Sequence, residues 1–182
     1  WELMTKVWQL PKERLYATVY QPGEGDPAAF DQEAHDFWKE IFEAEGMDPA
    51  IHIVNGDKKD NFWMMGDTGP CGPCSELHID LTEKGDTKGS LVNKDSAWCI
   101  ELWNLVFIQF NALPTGDYVP LAKKYIDTGM GLERVAGVIA TTNNFTEFQR
   151  PPSNYDSDLF RGIFAQLTAV SGHEYQKPLP AD

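Results

Sequence analysis

The stretch Trp98–Phe110, with the sequence WCIELWNLVFIQF, says most about how this chain folds. Its side chains are apolar at nearly every position, and the polar exceptions are Glu101, Asn104 and Gln109. Both faces of an extended chain are therefore mostly apolar, which predicts a central strand buried on both sides. A buried Glu101 or Asn104 needs a partner, because an unpaired polar group costs about 1 to 3 kcal/mol. Neighbouring backbone or a bound ligand can supply that partner, and the stretch by itself leaves both explanations open.

A second informative stretch, residues 125–134, has the sequence YIDTGMGLER. It predicts the end of a strand, a turn with two glycines, and a helix from Leu132 to about Thr141. Gly129 and Gly131 lack a Cβ, so a ligand can approach the backbone closely. The free N–H groups at the start of the helix favour a phosphate or carboxylate.

Two charged side chains flank these glycines. Arg134 can grip a phosphate in a bidentate way or stack on an aromatic base, and Asp127 can pair with an α-amine. The ordinary alternative is that the glycines only allow the turn and that Arg134 pairs with a surface carboxylate. For an isolated Gly-x-Gly this alternative is favoured, because the motif is weak evidence.

The remaining elements follow from periodicity and from helix-capping residues. Helical spacing predicts a helix over Asp31–Glu45, with Asp31 as N-cap and Gly46 as its end. The other predicted elements are the end of a helix over Glu2–Leu10, a strand over Arg14–Tyr20, a strand over Ile51–Val54, and a surface excursion over Thr82–Ser96. Strands separated by long segments, without regular βαβ units, favour an α+β fold with a mostly antiparallel sheet.

The sequence GPCGPCSELH at residues 69–78 raises the question of zinc, since Cys71 and Cys74 have Cys-x-x-Cys spacing and His78 follows. A structural zinc site needs four ligands. No second Cys-x-x-Cys exists, so we favour a rigid Gly/Pro turn whose cysteines pack beneath the site. Glu76 is then a carboxylate beside the pocket, with no role assigned by the sequence.

Four blocks of the chain closely resemble the alanyl-tRNA synthetases and occur in that family's order. They are Asp60–Glu76, Ile100–Asn111, Ile126–Arg134 and Asn154–Arg161. The resemblance extends from Trp1 to about Gly172. It implies a class II aminoacyl-tRNA synthetase catalytic domain, with a mostly antiparallel sheet and flanking helices. Such a domain activates alanine with ATP and transfers it to tRNA.

The resemblance also implies roles for individual residues. Those that would bind alanine are Trp63, Asn104, Val106, Asp127 and Gly129; those that would bind ATP are Gly129, Gly131 and Arg134. Glu101 resembles a ligand of ATP-bound magnesium, and Arg134 and Glu101 would be the catalytic residues. In a regular strand Glu101 and Asn104 point to opposite faces, so this assignment requires a bulge or an effect of the strand's start. Some family members place a His-x-x-His after the paired cysteines, where this chain has Leu81 and Lys84, which makes zinc less favoured still.

This chain departs from the family in how much of the catalytic domain it covers. In the family, the stretch that carries the first two class II motifs, including an arginine that grips the α-phosphate, precedes the position of Trp1. We therefore expect an internal piece of a longer enzyme, inactive in isolation. Residues 1–150 would form the C-terminal half of the catalytic domain, and residues 151–182 the start of the helical tRNA-recognition region.

The composition of the chain restricts the partners and the cellular setting that we expect for it. Its 182 residues are 42% hydrophobic and carry a formal net charge of −13. Because nucleic-acid affinity rests largely on Lys and Arg, we expect tRNA to bind mainly through other regions. No apolar run approaches the roughly 18 to 20 residues of a membrane span, and no leader is visible. Three cysteines leave at least one unpaired, which favours a reduced, cytoplasmic setting. Two alternatives remain: a non-catalytic module that binds alanine or adenylate, and a Cys/His zinc module.

Overall fold

One sheet of six strands organises the first part of the chain, in the order β2-β1-β4-β5-β6, with β3 paired to β4. The structure is a computed structural model, and it describes residues 1–175. The strands are β1 (Leu15–Tyr20), β2 (Ile53–Gly56), β3 (Phe62–Met64), β4 (Gly69–Asp80), β5 (Cys99–Ala112) and β6 (Tyr118–Met130). Only β1 and β2 pair in parallel, and the other pairs are antiparallel. The predicted α+β class with a mostly antiparallel sheet is confirmed.

Helices flank the sheet or follow it in the chain. They are α1 (Gln32–Ala44), α2 (Pro49–His52), α3 (Lys58–Asn61), α4 (Leu132–Thr141) and α5 (Asp158–Ser171). Short 3-10 turns cover Lys12–Arg14 and Asn154–Asp156. No helix among the described residues has both the length and the apolar character needed to cross a bilayer.

The chain divides into two units, one of residues Trp1–Gly131 and one that begins at Leu132. The first unit holds the whole sheet and α1 to α3, whereas the second holds α4 and α5. This division concerns compactness only. The boundary predicted near residue 150, between the catalytic domain and the helical region, stays a prediction.

Helix α1 forms where its sequence predicts. The Asp31 carboxylate accepts a hydrogen bond from the Ala34 N–H at 3.1 Å, and Gly46 adopts a positive φ of 74° just after the helix. The apolar side of α1 packs on the sheet, where the Trp38 indole N–H donates to Ser75 Oγ at 2.7 Å. The strand predicted over Arg14–Tyr20 is likewise confirmed as β1, and all six of its residues are buried.

Three predicted elements differ from the structure. Ile51 and His52 belong to α2 rather than to a strand, because the Asp48 carboxylate caps that helix by accepting from the Ala50 N–H at 3.0 Å. The predicted helix end over Glu2–Leu10 is a π-helical turn over Leu3–Val7. The excursion after β4 is not entirely superficial, because Val92 is buried against Tyr16 and Cys99.

Strand β5 is less central than its apolar sequence predicts. It lies between β4 and β6, and β6 is the edge of the sheet. Most β5 side chains are half-buried, and Tyr125 and Ile126 on β6 are 54% and 75% exposed. The prediction of a strand buried on both faces is therefore wrong within these residues, although the strand itself is confirmed.

Asp80 at the end of β4 anchors the excursion that follows. Its carboxylate is fully buried and accepts four hydrogen bonds of 2.6 to 3.1 Å from the N–H and hydroxyl groups of Thr82 and Thr87. Burial on its own raises the pKa of Asp80, but these hydrogen bonds outweigh burial and hold the pKa below its ordinary value.

We expect Asp80→Asn to lower the free energy of unfolding by about 2 kcal/mol, because an amide cannot accept all four bonds. A native pKa below the unfolded value stabilises the fold above about pH 4, and this contribution is lost as the pH falls through the native pKa. The difference between wild type and variant should therefore shrink in acid. Urea unfolding at pH 7 and pH 3 measures it. Asp86→Asn, an exposed change in the same excursion, is the control, and equal effects of the two substitutions would contradict the anchoring role.

Candidate active site

The centre of the candidate site is one face of strands β4, β5 and β6. Val106 on β5 pairs with Cys74 on β4 and with Asp127 on β6. Directly opposed residues of antiparallel strands point to the same side of the sheet. The three side chains therefore form a row across the sheet.

A second row lies next to the first. Asn104 on β5 pairs with Glu76 on β4 and with Gly129 on β6. Because Asn104 and Val106 are two residues apart, both rows occupy the same face. Four of the residues predicted to bind alanine, Asn104, Val106, Asp127 and Gly129, are thus brought together by strand register.

A β-bulge places Glu101 on this face as well. Leu77 pairs with Trp103 but His78 pairs with Glu101, so Leu102 is an extra residue in β5. Strand β4 is regular here, because Ala17, Tyr16 and Leu15 pair in sequence with Leu77, His78 and Ile79. The bulge therefore turns Glu101 to the side of Glu76 and His78, which resolves the conflict that a regular strand would create.

Cys74 links the site residues to Trp63. Its thiol lies against the Asn104 side chain and the Trp63 backbone, and Trp63 pairs with Gly72 on β4. Burial, aided by the charges of Glu76 and Glu101, raises the pKa of the Cys74 thiol to about 12. The thiol is therefore protonated at neutral pH and acts as a small neutral wall of the site.

Polar groups within the site differ in how well they are satisfied. The Asn104 Oδ1 atom is buried and has no hydrogen-bond partner among the described residues. Asp127 is exposed, and one of its oxygens accepts from the Thr128 N–H at 2.9 Å. Gly129 faces open space, since a Cβ built there would meet no atom within 4 Å.

Glu76 belongs to a buried network that the sequence analysis did not detect. Its Oε2 atom lies 3.0 Å from His78 Nε2 and 3.5 Å from Thr18 Oγ1. The Glu76 N–H donates to the same Thr18 hydroxyl at 2.9 Å, and the Asn61 amide donates to it at 2.6 Å. No periodic or motif signal marks Thr18, although Asn61 stands inside the Asp60–Glu76 block.

The cysteine motif lies in a strand rather than in the predicted turn, since Cys71 and Cys74 both belong to β4. Cys71 packs with Tyr20, Phe62 and Ala112, away from the contacts of Cys74, and His78 is engaged with Glu76. Within residues 1–175, no group of three or more His, Cys, Asp and Glu side chains is arranged to hold a metal ion.

The glycines of the 125–134 stretch also differ from the predicted two-glycine turn. Gly129 lies inside β6, and only Gly131 separates β6 from α4. The Gly131 N–H donates to the Leu102 carbonyl at 3.3 Å, which extends the β5–β6 contact by one bond. Arg134 lies in the second unit, on α4 and half-buried, and α4 itself matches the predicted helix over 132–141.

Comparison with known proteins identifies relatives over the whole chain. The family model described as tRNA synthetases class II (A) matches residues 1–181. The alanine–tRNA ligase of Akkermansia muciniphila is 58% identical over 183 residues, covering 100% of this chain and 19% of that protein. Those of Opitutus terrae and Chlorobaculum tepidum are 56% and 49% identical, covering 99% and 100% of this chain but 20% and 18% of those proteins. The chain thus spans about a fifth of the length of these relatives.

Proposed function

The chain belongs to the class II (A) tRNA synthetases, and on this basis we propose that it is part of the catalytic region of an alanine–tRNA ligase. Residues 1–150 would form the C-terminal half of the aminoacylation domain. Residues 151–182, of which 176–182 lie outside the residues that the structure describes, would belong to the start of the helical tRNA-recognition region. The observation that carries the proposal is the pair of cross-strand rows, which juxtaposes an open glycine, an exposed carboxylate and an unpartnered amide oxygen.

Alanine would bind on these rows. The Asp127 carboxylate would accept hydrogen bonds from the α-amine, and the missing side chain of Gly129 would let the substrate lie against the backbone. Trp63, Asn104 and Val106 would shape a pocket of methyl size. Such a pocket excludes larger side chains but discriminates weakly against a missing methylene or an added hydroxyl. Glycine and serine are therefore the expected errors, to be corrected elsewhere in the parent protein.

The residues that would contact ATP are Gly129, Gly131 and Arg134. Arg134 offers a planar fork that suits phosphate or stacks on the base. The carboxylate of Glu101 suits magnesium, which commonly binds through one or two carboxylates together with substrate phosphates. The bulge at Leu102 supports this role because it presents Glu101 on the face that carries Asn104. Magnesium would neutralise charge on the phosphates.

The reaction would begin with attack of the alanine carboxylate oxygen on the α-phosphorus of ATP. The bond to the bridging oxygen of pyrophosphate breaks, which yields alanyl-adenylate and pyrophosphate. A hydroxyl of the terminal tRNA ribose would then take the alanyl group and release AMP. The residues described here contribute positioning and electrostatic stabilisation rather than proton transfer.

The direct test is ATP–pyrophosphate exchange by the full-length parent. We expect exchange that depends on alanine, with serine and glycine as poorer substrates. We expect no exchange by the 182-residue chain alone, because it spans only about a fifth of the length of the relatives it matches. A parent that binds alanine or adenylate without exchange would favour a non-catalytic binding module. Exchange by the isolated chain above a heat-inactivated control would contradict the expectation that this chain is inactive without the rest of the parent protein.

A further inference from the structure

Asn61 is a fully buried polar residue that joins two strands through one amide nitrogen. Its Nδ2 group donates to Thr18 Oγ1 on β1 at 2.6 Å and to the Cys74 carbonyl on β4 at 2.9 Å. An amide has two hydrogens to donate, so both are used here. Because a buried amide without partners is costly, these bonds hold Asn61 in one position relative to both strands.

Strand β2 also packs against this side chain. A Cβ built on Gly56, the last residue of β2, would clash with the Asn61 Oδ1 atom. Glycine at this position therefore makes room for Asn61. The side chain is fixed by hydrogen bonds on one side and by close packing on the other.

Asn61 stands directly before β3, which carries Trp63. This strand has only three residues and pairs with Cys71, Gly72 and Pro73 of β4. The proline has no N–H to donate, which weakens that short ladder. The Asn61 hydrogen bonds thus supply a second attachment of β3 to the sheet, two residues from Trp63.

The same Thr18 hydroxyl reaches the Asn104 side of the site. It accepts the Glu76 N–H at 2.9 Å, and Glu76 is the cross-strand partner of Asn104. One hydroxyl therefore connects the strand that carries Trp63 with the row that contains Asn104. Both of these residues belong to the proposed alanine pocket.

We propose that Asn61, acting through Thr18 and the Cys74 carbonyl, is a positioning residue that sets the distance between Trp63 and Asn104 and so the size of the amino-acid pocket. This inference rests on the proposed function. Asn61 does not touch the substrate. Asn61 therefore affects the affinity and selectivity for the amino acid and leaves the affinity for ATP unchanged.

The test uses Asn61→Asp in the full-length parent, which keeps the side-chain shape but removes both donors. We expect the alanine KM to rise at least tenfold while the ATP KM stays within about twofold. Discrimination between alanine and 2-aminobutyrate, measured as the ratio of their kcat/KM values in pyrophosphate exchange, should fall at least fivefold. Asn143→Asp is the matched control, since Asn143 is exposed and its side chain donates to Glu147 on the surface.

A second pair of variants keeps the test decisive if Asn61→Asp does not fold. Thr18→Ser retains the hydroxyl and should preserve discrimination, whereas Thr18→Val keeps the volume, loses the hydroxyl and should reduce it. Equal discrimination by these two variants would overturn the proposal, as would a parallel loss of kcat/KM for every amino acid. Absence of alanine-dependent exchange in the wild-type parent would instead contradict the proposed function, so the two failures are distinguishable.

Discussion

Replacing Asp127 with asparagine in the full-length parent should raise the alanine KM by about 10- to 100-fold and change the ATP KM by less than about twofold. A hydrogen bond between an ammonium and a carboxylate contributes about 1.5 to 3 kcal/mol, and asparagine keeps the shape while it loses the charge. Asp127 is exposed on the edge strand, and only one of its two oxygens accepts the Thr128 N–H among the described residues, so the carboxylate is accessible to a ligand. Pyrophosphate exchange with varied alanine and varied ATP measures both constants.

Two further variants separate this role from a general effect of charge. Asp127→Glu retains the charge but moves it by one methylene, so an intermediate alanine KM is expected. Asp117→Asn removes an exposed carboxylate from the turn between β5 and β6, and it should leave both constants unchanged. An Asp127→Asn enzyme with a wild-type alanine KM would remove this residue from the amino-acid site.

The sequence predicts a helix or strand correctly where residues within that same segment determine it. Asp31 and Gly46 delimit α1 because capping depends on residues adjacent in sequence. The α+β class followed from the spacing of strands. The sequence IHIV at residues 51–54 predicts a strand through its isoleucines and valine, whereas the Asp48 cap commits Ile51 and His52 to α2. The apolar sequence of β5 predicts burial on both faces, but the burial of a strand also depends on how close it lies to the edge of the sheet, which the sequence does not show.

The site depends on register, which a single sequence does not reveal. The resemblance implies Asn104, Val106, Asp127 and Gly129, and cross-strand pairing explains why Asn104 meets Gly129 and Val106 meets Asp127 although they are distant in sequence. Glu101 required the bulge at Leu102, for which the apolar stretch gives no signal, because leucine suits a regular strand equally well. Whether each of these residues binds substrate stays a prediction.

Long-range hydrogen bonds explain the remaining omissions. Thr18 and Asn61 are separated by 43 residues, and each looks ordinary in its own segment. Their importance arises only when β1 and β4 are adjacent and a buried donor must find an acceptor. Gly56 is similar, since the reason for glycine there is a side chain from α3 and not the local turn.

Substituting alanine for Gly129 should separate folding from substrate binding. A Cβ at this position meets no protein atom within 4 Å, and the backbone φ is not in the left-handed region, so the free energy of unfolding should change by less than about 0.5 kcal/mol. In the proposed complex, however, alanine lies against this backbone. The added methyl would occupy substrate space, and overpacking of that kind costs about 1 to 3 kcal/mol. The alanine KM of the parent should therefore rise by about 10- to 100-fold.

The matched control is the same substitution at Gly162 on α5, which also faces open space. Gly162→Ala should leave the exchange kinetics unchanged and increase stability by about 0.5 to 1 kcal/mol, because alanine favours a helix. Thermal unfolding and alanine KM, measured for both variants, form a two-by-two comparison. A loss of stability in Gly129→Ala would mean that the open space is filled by protein in the parent. Unchanged kinetics together with unchanged stability would show that the substrate does not approach β6 at Gly129, and would move the amino-acid site away from this row.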